Sequence, residues 1–221
     1  MVKIAQISDL HIGPEAILYN GIDVRANFLK TLAVALEKKP DYIVLTGDLA
    51  IDFGEIEAYY WVKEQMDQCG VPYLVMSGNH DSVERMKKVF HLEDKLYQNM
   101  LCFRFDFLDK YPAFFLDSEP DMIAEEQLVW LLEESKKVEG NALLFIHHPP
   151  LLCGHQFMDR KFPLRNIPMV QRYLYEISNI SHIMVGHYHF AKTIPLDENK
   201  TVLISPATQM QINSNNPDFE Y

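Results

Sequence analysis

The side chains of this chain that could do chemistry fall into five short stretches: Asp9-Leu10-His11, Gly47-Asp48, Gly78-Asn79-His80-Asp81, His147-His148-Pro149-Pro150 and Gly186-His187-Tyr188-His189. They offer carboxylates, imidazoles and an amide, the oxygen and nitrogen donors that hold first-row divalent cations. Asp9 and His11 are two residues apart, as are His187 and His189. In an extended segment such a pair projects to one side and suits a shared ion. Asp48 follows a glycine that lets the backbone turn sharply, and its carboxylate could bridge two cations. Asn79 resists a packing explanation, because a buried amide needs partners. Asp81, with Glu84 three residues on, reads as a variant capping box that opens a helix and supports His80. Taken singly, each stretch also has an ordinary reading as a turn or cap aspartate or a surface histidine.

What must position these groups is a set of short apolar runs. Residues 2–8, 41–46, 71–76, 141–146 and 180–185 read as strands, and each runs into one of the five stretches. In α/β sheets functional groups gather at the carboxyl ends of strands, so the five converge on one site. Helices are predicted over 21–39, where Val24, Phe28, Leu32 and Leu36 recur at helical spacing before Pro40, and over 55–68, from about Ser82, over 125–138 and over 169–178. Residues 101–107 and 113–116 read as a strand pair, 191–196 and 201–205 as a hairpin, and 208–212 as a weak further strand. Residues 151–168 show no period; a loop of that length inside a compact domain is often functional, and its place after His147 suits a lid or substrate wall.

The totals bound the answer. With 221 residues and 48% hydrophobic content, the chain suits one α/β domain over 1–221 with a sizeable core. A formal charge of −11 argues against a nucleic-acid polymer or an anionic membrane as main partner, but not against a small anion drawn by bound metals. Cys69, Cys102 and Cys153 are odd in number and outside any Cys-x-x-Cys pattern, which fits thiols in a reduced, cytoplasmic protein. No long apolar signal region opens the chain, and the apolar runs are too short to span a bilayer.

Together the order Asp-x-His, Gly-Asp, Gly-Asn-His-Asp, His, Gly-His-x-His resembles the calcineurin-like metallophosphoesterases, over a span from Asp9 to His189. The resemblance implies a four-layer α/β/β/α sandwich with two central mixed sheets and a binuclear metal site at the strand ends. Carried over by motif, it implies Asp9, His11, Asp48 and His189 as ligands of one ion. Asp48, Asn79, His147 and His187 would hold the other, with Asp48 bridging. His147 is assigned because the family's ligand lies two residues before the proline, with His148 as the alternative. His80 matches the residue beside the substrate phosphate, and Asp81 would orient it. Gln6-Ile7-Ser8-Asp9-Leu10-His11, Phe115-Leu116-Asp117-Ser118, His147-His148-Pro149-Pro150 and Leu164-Arg165-Asn166 look like the class III cyclic-nucleotide phosphodiesterase branch. Members of that branch commonly continue further past the segment matching 205–211. With a last residue at Tyr221, the outer sheet edge, pocket rim or a dimer contact is where a difference is expected.

The implied chemistry is hydrolysis of a small phosphodiester, 3′,5′-cyclic AMP first, by attack of a metal-bound hydroxide. Two divalent cations lower the pKa of a shared water and neutralise the phosphoryl oxygens. Two carboxylates and a hydroxide against two such cations leave about +1 by formal count, the right sign for a phosphate ester. Imidazole with oxygen suits Mn, Fe, Zn or Co better than Ca. The alternatives are a broader phosphodiesterase, for instance on glycerophosphodiesters, and a non-catalytic metal-binding scaffold. Oligomeric state stays open, a homodimer included.

Overall fold

The computed structural model of the chain describes residues 1–213. Strands β1 (Ile4–Ile7), β2 (Tyr42–Thr46) and β3 (Tyr73–Met76) form a parallel sheet in that order. Helices α1 (Val24–Glu37), α2 (Ile56–Gln68) and α3 (Val83–Phe90) connect or follow them. A small ladder, β4 (Leu96–Tyr97) and β5 (Met100–Leu101), leads into the second sheet. That sheet comprises β6 (Phe103–Phe107), β7 (Tyr111–Leu116), β8 (Ala142–Ile146), β9 (Ile180–Val185), β10 (Lys192–Pro195) and β11 (Thr201–Ile204), in the order β10-β11-β9-β8-β7-β6. It is mixed: β7, β8, β9 and β11 run parallel, and β6 and β10 are antiparallel edges. Helices α4 (Glu125–Ser135), α5 (Gln156–Lys161) and α6 (Ile167–Glu176) belong to this half.

The layering follows from which side chains are apolar. Ile43, Val44 and Leu45 are all buried, as expected of a parallel strand covered on both faces. Asp23 caps α1 by accepting from the Ala26 N–H at 2.9 Å, and Val24, Phe28 and Leu32 pack against the first sheet. In β7 and β8 the faces alternate. Phe115 and Phe145 stack 4.7 Å apart in the cluster shared with the first sheet, while Phe114, Leu116, Leu144 and Ile146 join α4 and α6 in a second cluster. The result is the α/β/β/α sandwich, with the first sheet parallel throughout its three strands. Gln6 pins the two sheets together near the site: its Nε2 donates to Thr46 Oγ1 at 3.1 Å and to Val185 O at 3.0 Å.

Three expectations need correction. The segment 151–168 is not a bare loop, because it contains α5, six residues long and thus too short to show a helical period. Residues 208–212 form no strand. They lie beside the end of β1 through Thr208 N–H to Ser8 O (3.0 Å) and Gln209 N–H to Asp9 O (3.2 Å), and Ile212 N–H donates to His189 O (3.0 Å). Asp81 does not cap α3; the residue at that position is Ser82. Residues 214–221, where the outer rim was expected to differ, lie outside the described residues. Among the described residues no helix is long and apolar enough to cross a membrane.

Candidate metal centre

β1, β2, β3, β8 and β9 stop just short of the five polar stretches, and the carboxyl ends of both sheets meet there. The backbone does not continue extended through the ligand pairs. Asp9, His11, Asp48, His187 and His189 all adopt left-handed conformations, with φ of 55°, 48°, 52°, 67° and 52°. Such residues cost on the order of 1–3 kcal/mol each and cluster at functional sites. Asp9 and His11 therefore share a site because the chain coils tightly after β1, not because a strand alternates. The same correction applies to His187 and His189.

The side chains converge into two groups joined at Asp48. Asp9, His11, Asp48 and His189 bring one donor atom each within 4.8 Å of one another, and so do Asp48, His147 and His187. Every one of these residues is buried. Main-chain partners decide which atom each imidazole presents. His147 Nδ1–H donates to Thr46 O at 2.8 Å and His189 Nδ1–H to Met210 O at 3.0 Å, which leaves both Nε2 lone pairs facing inward. His187 is reversed, with Nε2–H donating to Phe162 O at 2.9 Å and Nδ1 free. The carboxylates are held from behind. Asp9 accepts from His187 N–H at 3.0 and 3.1 Å, and Asp48 Oδ1 accepts from His80 N–H at 2.9 Å.

This crowding is electrostatically one-sided. His11 and His189 bring their Nε2 atoms to 3.1 Å, both within 3.6 Å of a carboxylate oxygen. Burial alone would raise Asp9, but His189 and His147 outweigh it and hold the carboxyl below its usual range. Burial likewise opposes ionisation of Asp48, and His147, His80 and His11 overcome it to hold that carboxyl well below. Burial would lower His147, yet Asp48 and Asp9 push it up to about 10. Its Nε2, the atom a cation would claim, lies 3.2 Å from Asp48 Oδ2 without a hydrogen bond. Burial pushes His11 down to about 4 and His187 well below the usual imidazole range.

A pair of divalent ions fits this donor set. The tautomers are fixed outward and the lone pairs point inward. Asn79 Oδ1 is buried without a hydrogen-bond partner. An orphaned carbonyl oxygen of a residue lining the cavity that both clusters face is what a cation would satisfy. Asn79→Ala is expected to spare the first ion and weaken the second by at least the ~10–100-fold that losing even an outer partner costs; metal analysis after dialysis reads the stoichiometry, and two retained ions would remove Asn79 from the ligand set. The glycine before it is required for close approach. A methyl group on Gly78 would collide with Asp48 Oδ1 and lie 2.8 Å from His147 Nε2.

The remaining candidates divide. His80 lines the cavity above the clusters, with its ring edge-on to His11 at 4.9 Å and its Nδ1 without a partner. Asp81 turns away from that ring. Its carboxylate accepts from the N–H groups of Leu49 (3.0 Å), Ala50 (3.1 Å) and Gly78 (2.9 Å) and from the Tyr59 hydroxyl (3.0 Å). Burial and Asp48 raise it to about 6 despite those donors. It therefore clamps the Asp48 turn against the Asn79 turn and orients His80 only through the backbone. His148 is engaged elsewhere, with Nδ1 on Ser118 Oγ at 2.9 Å and Nε2 3.5 Å from Asp121 Oδ1. Sequence reasoning missed Gln6, Tyr59 and the carbonyls of Thr46, Phe162 and Met210. Carbonyls leave no mark in a sequence, and Tyr59 reads as an ordinary inward residue of α2.

Above the clusters opens a cavity of about 490 Å³. Its floor carries His11, Asp48, Asn79, His80, His187 and His189, and its walls are mostly apolar. No lysine or arginine lines it among the described residues.

A model of the family described as calcineurin-like phosphoesterase matches residues 2–191. A protein of Fibrobacter succinogenes named "Probable cyclic nucleotide phosphodiesterase" is 46% identical over 97% of this chain and 83% of its own length. One of Arcobacter nitrofigilis named "Probable glycerophosphodiester phosphodiesterase" is 28% identical over 93% of this chain and 77% of its own. Among solved structures, a dimetal phosphatase from Danio rerio superposes with a TM-score of 0.74 over 94% of this chain and 88% of that one; at 15% identity the likeness is one of fold.

Proposed function

From the premise that the chain belongs to the calcineurin-like phosphoesterase family, we propose that it hydrolyses small phosphodiesters, 3′,5′-cyclic AMP first, with two divalent ions bound by Asp9, His11, Asp48, Asn79, His147, His187 and His189. The observation that carries this reading is the pairing of the two clusters with a cavity that, among the described residues, is lined by no lysine or arginine. When bound, the ions supply a nucleophile from water at neutral pH and neutralise the phosphoryl oxygens. With Asp9 and Asp48 offsetting part of that charge, the site matches the single negative charge of a diester. Among the described residues a monoester dianion would meet no lysine or arginine, and the carboxylate of Asp52 also lines the cavity.

The chain's own residues supply the rest. Asp48, fixed by the His80 N–H, holds the two clusters in register. His80 stands where it can donate a proton to the departing alkoxide or stabilise charge building on it, a contribution of roughly 10²–10⁴-fold. Met158 and Phe162 of the 151–168 segment wall the cavity and limit water. The name of the Fibrobacter relative supports the cyclic-nucleotide substrate, and that of the Arcobacter relative keeps glycerophosphodiesters as the second substrate class. Cys69, Cys102 and Cys153 are all free thiols, which supports a reducing, cytoplasmic compartment.

The test is chelation and reconstitution with Mn²⁺, followed by turnover of 3′,5′-cyclic AMP, bis(p-nitrophenyl) phosphate and p-nitrophenyl phosphate. Both diesters are expected to react and the monoester to lag. Turnover of the artificial diester alone would remove the cyclic-nucleotide assignment. A fully metal-loaded protein inert to all of them would leave a scaffold.

A further inference from the structure

The cavity is two-sided. Its floor is polar and metal-facing, whereas Phe162, Met158, Tyr19, Ile51 and Ile212 give its walls an apolar character. Phe162 stands out among these because the residue is 44% exposed, yet its N–H, its carbonyl and its ring all have defined partners. An exposed aromatic on a rigid mount costs little entropy when a flat partner covers it.

The mount is built from the metal centre outward. Phe162 N–H donates to Met158 O at 2.9 Å, and its carbonyl accepts from His187 Nε2, also at 2.9 Å. Its ring meets Phe157, which is buried, edge-on at 5.7 Å. Asp159 locks the start of α5 by accepting from the N–H groups of Cys153 (2.9 Å), Gly154 (2.7 Å) and His155 (3.0 Å), and from the Tyr188 hydroxyl at 2.9 Å. Tyr188 lies between His187 and His189 in the chain, so the segment carrying Phe162 is tied to the residues that frame the metal site. Lys192 Nζ donates to Cys153 O at 2.6 Å and closes the far side.

We infer that Phe162 is the specificity-determining residue of this site, a platform on which the planar group of the diester stacks while its phosphate sits on the metal floor. This rests on the function proposed above, under which the planar group is the purine of a cyclic nucleotide. Stacking tolerates any base, so the platform selects planar from non-planar diesters and does not choose among bases.

The experiment is calorimetric binding of adenosine monophosphate and of inorganic phosphate to the Mn²⁺-loaded protein, in wild type, Phe162→Ala and Phe162→Trp. Phosphate reads the metal floor alone, so the ratio of the two affinities isolates the base. Phe162→Ala keeps the backbone carbonyl that His187 needs and is expected to retain both ions. It should weaken the nucleotide roughly 5- to 150-fold with phosphate unchanged, and Phe162→Trp should restore the difference. In turnover of 3′,5′-cyclic AMP the loss should fall on KM more than on kcat. Equal losses for nucleotide and phosphate, no loss for either, or a wild type that prefers phosphate would overturn the platform. If wild type binds the nucleotide through Phe162 but does not hydrolyse the cyclic diester, the platform stands and the proposed substrate falls. If it hydrolyses the diester and Phe162→Ala binds as wild type does, the reverse holds.

Discussion

Asp48→Ala is expected to empty both halves of the metal centre and to reduce diester turnover by ~10³-fold or more, since metal assistance supplies several kcal/mol of transition-state stabilisation. Asp48 is the one residue common to both clusters. It is buried, left-handed at φ 52°, and held on one oxygen by the His80 N–H. Its two buried carboxylate neighbours are already engaged: Asp81 is committed to three main-chain N–H groups and the Tyr59 hydroxyl, and Asp9 accepts from the His187 N–H. Metal content of the purified variant is the first readout. The second is thermal: Mn²⁺ should raise the Tm of wild type by binding only the folded form, and leave the variant where it was. A variant that keeps two ions and wild-type turnover would show that Asp48 does not bridge them.

How far the sequence reaches is visible around this same residue. The apolar run 41–46 announces a buried strand, Gly47 announces a turn, and the carboxylate must then emerge at the strand end. That logic is local and periodic, so the strands of the first sheet, the β10–β11 hairpin and the five polar stretches at the strand ends could be read from it; the choice of the seven proposed ligands within those stretches, His147 over His148 included, came from the family resemblance. What could not be read is the conformation of the turns. Asp9 and His11 are spaced like a strand pair, yet both are left-handed; tertiary contacts, including Asp9 N–H to Gly47 O and His11 N–H to Asp48 O, hold them there. Asp81 misled for a related reason. An aspartate three residues before a glutamate looks like a cap, but three buried N–H groups of two turns compete for its carboxylate and win. Helix α5 escaped because six residues are fewer than two turns, and what stabilises it is Asp159 and the ring of His155 accepting main-chain N–H groups, a pattern without a standard capping signature.

His80→Ala separates metal binding from chemistry. The contact His80 makes with the metal ligands' scaffold is its backbone N–H on Asp48 Oδ1, which alanine preserves. Its imidazole contributes no donor to either cluster, lies edge-on to His11, and keeps a buried Nδ1 without a partner beside the cavity. The variant should therefore carry two ions and bind substrate, while kcat falls by roughly 10²–10⁴-fold, the usual range for loss of a positioned general acid. The leaving group makes the test sharper. A poor leaving group such as the ribose alkoxide of cyclic AMP depends on a proton donor, whereas p-nitrophenolate departs with little help. The deficit should be large for 3′,5′-cyclic AMP and much smaller for bis(p-nitrophenyl) phosphate. Equal deficits would instead assign His80 to stabilising charge on the phosphoryl oxygens, and no deficit at full metal occupancy would remove it from the chemistry altogether.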